Sequence, residues 1–137
     1  MNSIYKLAKS VLFRFTPEQA HHISRSNLDW ATQLGAQKLV TRSFPENPIE
    51  IMGLRFPNCV GLAAGMDKDG EHVTAFGALG FGSVEIGTVT PKGQPGNPKP
   101  RLFRLIPDEA IINRMGFNNV GAIQVAKNLQ SARAFRN

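Results

Sequence analysis

The run Gly61-Leu62-Ala63-Ala64-Gly65-Met66-Asp67-Lys68-Asp69-Gly70 carries the clearest chemical signal in the chain. It leads out of a short apolar, strand-like stretch, Cys59 to Ala63, toward one with helical spacing. Its small residues would let a flat ring or a phosphate touch backbone. Lys68 then falls at the C-terminal edge of a strand, where parallel α/β folds bind ligands, and its ammonium could hold a carboxylate or a ring oxygen. A plainer reading fits the same spacing: Asp67 and Asp69 cap the next helix while Lys68 points to water. Thr88 closes a second strand, Ser83 to Thr88, and offers a hydroxyl at the same sheet edge, although threonines at such places often only cap a loop. A third group, Asn113, Arg114, Met115, Gly116, Phe117 and Asn118, combines amide donors, a glycine for close approach and an aromatic wall. That mix suits a small, planar, polar ligand.

Other chemistries find less support. The glycines between Gly77 and Gly82 end a helical stretch and enter a strand, the reverse of a dinucleotide-binding turn, so NAD is not indicated. The histidines are His21, His22 and His72; no serine–histidine–carboxylate arrangement and no facing carboxylate pair is apparent, so no general base presents itself. Cys59 is the sole thiol, and its neighbours Val60 and Leu62 suggest a packed strand residue rather than a nucleophile. One cysteine makes neither a disulfide framework nor a metal-ligand pair, which fits a reducing compartment and a chain without a metal site.

The elements that must position these groups can be read from periodicity. From Asn2 to Phe15, Ile4, Leu7, Ala8, Val11, Leu12 and Phe15 follow helical spacing, with Lys6, Lys9, Ser10 and Arg14 opposite, which predicts a short amphipathic helix. Thr16, Pro17 and Gln19 form a capping-box signature for a second helix. Its expected inner stripe is Ala20, Ile23, Trp30, Ala31 and Leu34, ended by Gly35, and the two helices are expected to make a hairpin of sorts. A proline-rich linker from Phe44 to Pro57 includes two extended runs, Ile49 to Met52 and Leu54 to Phe56, turned by Gly53. Cys59 to Ala63, a helix from Gly70 to Leu79 and Ser83 to Thr88 then form one βαβ unit. Turn-rich sequence after Pro91 precedes a hairpin of Leu102 to Leu105 and Ala110 to Ile112, and Asn118 to Arg133 returns to helical spacing.

With 42% apolar and 19% charged residues the chain is foldable, but its 137 residues fall short of a closed eight-fold barrel, which takes about 250. The formal charge of +6 is concentrated at the start, where residues 1–44 hold Lys6, Lys9, Arg14, Arg25, Lys38 and Arg42 against Glu18 and Asp29. A basic amphipathic helix favours an anionic membrane surface over nucleic acid, for which no basic, aromatic-interleaved motif is present. No window approaches 18 uncharged apolar residues and no signal-peptide pattern opens the chain, so neither a spanning helix nor export is expected.

Three segments taken together are no longer generic. GLAAGMDKDGE, GFGSVEIGTVTPKGQPGNPKPRLFRL and INRMGFNN resemble the dihydroorotate dehydrogenase family in wording, order and spacing, and the likeness runs over nearly the whole chain. The resemblance implies an α/β fold, the N-terminal portion of a (β/α)8 TIM barrel, with FMN over the C-terminal ends of the strands. Soluble members start almost directly at the barrel. The helical start of this chain therefore resembles the quinone-dependent class, in which a two-helix extension (here residues 1–44) lies on the membrane and forms a quinone tunnel ahead of the barrel (here residues 45–137). Carried over by position, Ala64, Gly65, Met66, Asp67 and Lys68 look like the first FMN-binding loop, with Lys68 also reaching substrate, and Thr88 like a second flavin contact. Asn113, Arg114, Met115, Gly116 and Phe117 resemble the orotate-binding segment, and His21 and Arg104 resemble polar groups lining the tunnel.

The reaction so implied, a step of de novo pyrimidine (UMP) biosynthesis, oxidises dihydroorotate to orotate. A base takes a proton from C5, hydride leaves C6 for the flavin, and the reduced flavin passes electrons to quinone. In the quinone class the base is a serine, expected downstream of Asn137, so the chain alone is expected to be inactive. Without a transit peptide ahead of the first helix, the expected place is the cytoplasmic side of a bacterial inner membrane, peripherally bound. Two other readings are open: an inert remnant that at most associates with membrane, and a related FMN barrel with another planar substrate.

Overall fold

The structure, a computed structural model, describes residues 3–35 and 47–134. Expectations that fall on Asn2, Lys38, Arg42, Phe44 and residues 135–137 lie outside the described residues. The elements are α1 (Ser3–Leu12), α2 (Pro17–Gln33), β1 (Ile49–Ile51), β2 (Leu54–Phe56), β3 (Gly61–Leu62), α3 (Val73–Ala78), β4 (Ser83–Val84), β5 (Leu102–Leu105), β6 (Ala110–Asn113) and α4 (Ala122–Ser131).

The local signals at the start act as chemistry dictates. Thr16 Oγ1 accepts from Gln19 N–H at 3.3 Å while Gln19 Oε1 accepts from Thr16 N–H at 3.1 Å, with Pro17 at the first helical position, so the capping box that begins α2 is complete. Past its end Gly35 takes φ +72°, the left-handed state expected of a terminator. Helix α1 stops at Leu12 rather than Phe15, because the chain tightens through Phe13–Phe15 to reach the next cap. Among the described residues α1 and α2 share little packing, so the expected helical hairpin gives way to an α1 that borders the β5–β6 hairpin.

The expected inner stripe of α2 needs correction. Ala20 is buried, but Trp30 is 64% and Leu34 63% exposed, and the buried partner on this helix is Arg25. The face turned to the rest of the chain carries Glu18 and Asp29, eleven residues apart and so within about 20° of each other around a 3.6-residue helix. Glu18 meets Arg101 and Asp29 meets His72. Polar contacts to Arg101 and His72 hold this side of α2 against the rest of the chain, beside the buried Ala20.

The βαβ unit forms as expected, with β3 and β4 parallel in the register Gly61↔Ser83 and Leu62↔Val84 and α3 between them in sequence. The ladder extends through Gly82 N–H to Val60 O and Glu85 N–H to Leu62 O, at 2.8 and 2.9 Å. Gly82 is required here, since a Cβ would stand 2.2 Å from the carbonyl oxygen of Asn58. Helix α3 is shorter than Gly70 to Leu79 but buries Val73, Ala75 and Phe76, and Phe76 meets Phe81 edge to face. Cys59 and Val60 are exposed, contrary to the packed strand residue expected: β3 starts at Gly61, and the described sheet has two strands, leaving nothing to cover that end.

Two antiparallel hairpins flank this unit. The β1–β2 turn uses Met52 and Gly53, both at positive φ, and β5–β6 pairs Leu102↔Asn113 through Leu105↔Ala110. Helix α4 begins four residues later than its periodicity suggests. Gly121 sits at φ +89°, and Asn119 ahead of it folds its own side chain onto Gly121 N–H at 2.9 Å. Among the described residues no helix is long and apolar enough to cross a membrane.

Candidate functional site

At the C-terminal ends of β3 and β4 lies an open cleft of about 390 Å³ lined by Ala64, Gly65, Lys68, Gly87, Thr88, Asn97, Asn113 to Phe117, and Asn118. All three groups singled out in the sequence therefore converge, although they are spread over more than fifty residues. The first loop is held from below. Asp67 is fully buried, and its two carboxylate oxygens accept from Glu71 N–H at 3.0 Å and His72 N–H at 2.9 Å, just ahead of α3. Asp67 thus braces the turn ahead of α3 and does not cap the helix, whose N-cap is His72 with no side-chain cap bond. Nor does Asp69 cap it: its Oδ1 accepts from Val120 N–H at 3.0 Å and ties the loop to the entry of α4.

With Asp67 turned inward, Met66 and Asp67 are not among the residues lining the cleft, whereas Ala64, Gly65 and Lys68 are. Gly65 adopts φ +107°, and a Cβ built on it meets no protein atom within 4 Å. Small residues at 64 and 65 thus leave room against the sheet edge. Lys68 stays beside the second strand through its carbonyl, which accepts from Gly87 N–H at 3.2 Å. Gly87 permits that contact, since a Cβ there would come within 3.0 Å of Lys68 Cα.

Segment 113–119 is fixed by the turn-rich stretch before β5. Gln94 and Asn119 exchange backbone hydrogen bonds at 2.9 and 3.1 Å, and Asn97 N–H donates to Met115 O at 3.0 Å. The side-chain amides of Gln94 and Asn97 donate to Phe117 O and Arg114 O at 2.8 and 2.7 Å. Asn119, 6% exposed, donates to Thr90 Oγ1 and to Phe117 O. The Oδ1 of Asn118, on the cleft wall, is buried without a protein partner, an acceptor free for a ligand donor. Asn97 and Gly87 are cleft residues that periodicity missed, whereas Asn118 belongs to the third group singled out there. Asn97 sat in a stretch legible only as turns, and nothing local marked it as facing a segment seventeen residues away.

Arg104 and His21 do not meet. Arg104 donates to Phe15 O at 2.9 Å, lies over the Phe13 ring at 4.5 Å, and lines a separate cavity of about 710 Å³ between α2 and β5. That cavity's histidine is His22, while His21 is turned by one residue and is not among the lining groups. His21 is held well below the usual histidine range, at about 4, first by burial and then by the positive charges of Arg25, His22, His72 and Lys68. Glu18, at the mouth of the same cavity, is held below the usual carboxylate range chiefly by its hydrogen bonds to Arg101.

The comparisons agree with this geometry. A sequence profile for dihydroorotate dehydrogenase matches residues 48–137. A protein of Akkermansia muciniphila named dihydroorotate dehydrogenase (quinone) is 55% identical over 97% of this chain and 38% of its own length. One of the same name from Marinobacter nauticus is 53% identical over 95% of this chain and 38% of its own. The chain thus spans well under half the length of these relatives. The crystal structure of the Eimeria tenella enzyme with ferulenol superposes with a TM-score of 0.67 at 47% identity, covering 84% of this chain and 30% of that one. With that profile match over most of its length, and with its three sequence segments brought to one cleft, the chain belongs to the dihydroorotate dehydrogenase family.

Proposed function

We propose that this chain supplies the opening strands and helices of a (β/α)8 barrel that oxidises dihydroorotate to orotate with FMN and a quinone, in de novo pyrimidine biosynthesis. The observation that carries the reading is the single cleft shared by Ala64, Gly65, Lys68, Thr88 and Asn113 to Phe117. The residues fit FMN. Gly65 leaves an open place for a ring at the sheet edge, and Lys68 and Thr88 stand beside it with a cation and a hydroxyl. FMN, when bound, would accept hydride from the substrate and hand the electrons to the quinone.

The chain's own groups would bind and orient. Lys68 offsets the substrate carboxylate, Asn113 and Asn118 offer amides to a pyrimidine ring edge, and the main chain of 114–117, pinned by Gln94 and Asn97, shapes the wall. The proton-abstracting base belongs to the rest of the barrel. The cavity beside Arg104 and His22 supports a quinone approach.

The division into a helical extension, residues 1–44, and a barrel portion, residues 45–137, belongs to the same proposal. Support for membrane association comes from exposed Tyr5, Leu7, Val11, Phe13, Phe15, Trp30 and Leu34 on α1, α2 and their connection, together with the basic bias. Peripheral attachment to the cytoplasmic side of a bacterial inner membrane is the location we propose. The test of the site is orotate titration of the flavin absorbance in the protein as its source produces it. Asn113→Ala and Lys68→Ala should each weaken orotate at least about tenfold, the worth of a lost charge-assisted or buried hydrogen bond. Unchanged affinity in both would point instead to a different planar substrate.

A further inference from the structure

Arg101 lies outside the cleft's lining, on the wall of the cavity next to α2, yet it is 7% exposed and its whole guanidinium is engaged. Nε and Nη2 donate to Glu18 Oε1 at 3.1 and 2.7 Å. Nη1 donates to the carbonyl oxygens of Pro95 and Asn97, the latter at 3.1 Å. The carbonyl of Arg101 in turn accepts from Arg114 N–H at 2.8 Å. Asn97, gripped at its carbonyl by Arg101, passes the restraint on through its amide to Arg114 O and its N–H to Met115 O.

There is little slack between these contacts. A Cβ on Gly96 would stand 2.3 Å from Met115 O and 3.0 Å from Arg101 Nη1, so the loop backbone is pressed between the guanidinium and the cleft segment. Only a planar fork with several fixed donors reaches a carboxylate on one side and two carbonyls on the other; a lysine offers one point charge.

We propose that Arg101 is a positioning residue that sets segment 113–117 from behind, and that Glu18 fixes Arg101, so the seating of α2 is transmitted to the substrate side of the cleft. The inference rests on the reading of that segment as the orotate site. Displacements of the order of an ångström in such a wall weaken binding by about tenfold or more.

The experiment is orotate titration of the flavin spectrum in the natural protein, without quinone, for wild type, Arg101→Lys, Glu18→Gln and the double variant. Arg101→Lys should raise the orotate Kd about tenfold with FMN content and the ligand-free flavin spectrum unchanged. Glu18→Gln should raise it in the same direction, and the double variant should bind no worse than Arg101→Lys, because the two act in series. A merely structural Arg101 would lower the melting temperature and leave the orotate Kd within about twofold, which overturns the proposal. Should Arg101→Lys lose flavin, Glu18→Gln decides, an unchanged Kd again overturning it. A wild type whose flavin does not respond to orotate sinks the cleft reading and this inference with it, whereas a responsive wild type with unaltered variants sinks the inference alone.

Discussion

Asp67 and His21 show how differently two buried or half-buried polar groups can bear on stability. Asp67 is the most completely buried side chain described here, and both its oxygens are committed to backbone N–H groups. Asp67→Asn keeps the shape but turns an amide donor toward one of those N–H groups, leaving it unsatisfied. The expected loss is about 1–3 kcal/mol of stability, read by denaturant unfolding; a loss under about 0.5 kcal/mol would mean that the loop is held mainly by its other contacts. His21 contributes through pH. With its folded pKa at about 4 against 6.5 for the free group, the unfolded chain binds more protons between those values. The stability gained by keeping His21 neutral is therefore full above pH 6.5 and drains as pH falls toward 4. Glu18, lowered from 4.5 by Arg101, adds a loss of the same sign at still lower pH. Unfolding measured from pH 4 to 7 should have a shallower slope in His21→Gln than in wild type, and an NMR titration of His21 ending near 6.5 would refute this.

At the scale of elements, periodicity and capping chemistry located the helices and strands where a local rule governs. The capping box of Thr16 and Gln19 and the Met52–Gly53 turn follow from neighbouring residues, and the parallel pairing of β3 with β4 from the strand–helix–strand order. What it misread depends on partners far along the chain. Glu18 and Asp29 of α2 meet Arg101 and His72, 83 and 43 residues away, so a stripe search that counts only apolar residues finds the buried Ala20 but misses this face and misplaces Trp30 and Leu34. The start of α4 is likewise decided by Gly121 and by Asn119 bonding back to Thr90. The site was legible because its three segments are locally distinctive, while Asn97 and Arg101 were hidden in turn-rich sequence. The rotation of α2 has a measurable consequence, since Trp30 is the only tryptophan and is exposed, with Leu34 one turn on. Anionic vesicles should shift Trp30 emission to shorter wavelength and shield it from iodide, and vesicle flotation should carry the protein upward. If neither occurs, this face of α2 is covered by other protein and not by lipid.

For the whole molecule the governing fact is how little of it is inside. The buried apolar residues described are Ala20, Val73, Ala75, Phe76, Val125 and Ala132, while Ile51, Met52, Leu54, Val60, Ile111, Ile112, Phe117 and Ile123 are each more than half exposed. A parallel sheet of two short strands is unusual on its own, because parallel strands are normally covered on both faces and flanked by further strands. The edges of β3 and β4 and the exposed hairpins are surfaces that a complete barrel would cover, in keeping with a chain spanning about 38% of its relatives. Produced as residues 1–137 alone, the protein should unfold without a sharp transition, associate through its open edges and turn over no dihydroorotate. The same residues joined to the remaining portion of the Marinobacter relative, 53% identical over the shared part, should instead melt cooperatively and retain flavin. Calorimetry and light scattering on the two proteins separate the cases. A cooperative, monomeric and flavin-bound 137-residue chain would mean that the first βαβ unit and its helices are self-sufficient, and would overturn the expectation that they need the remainder of the proposed barrel to fold.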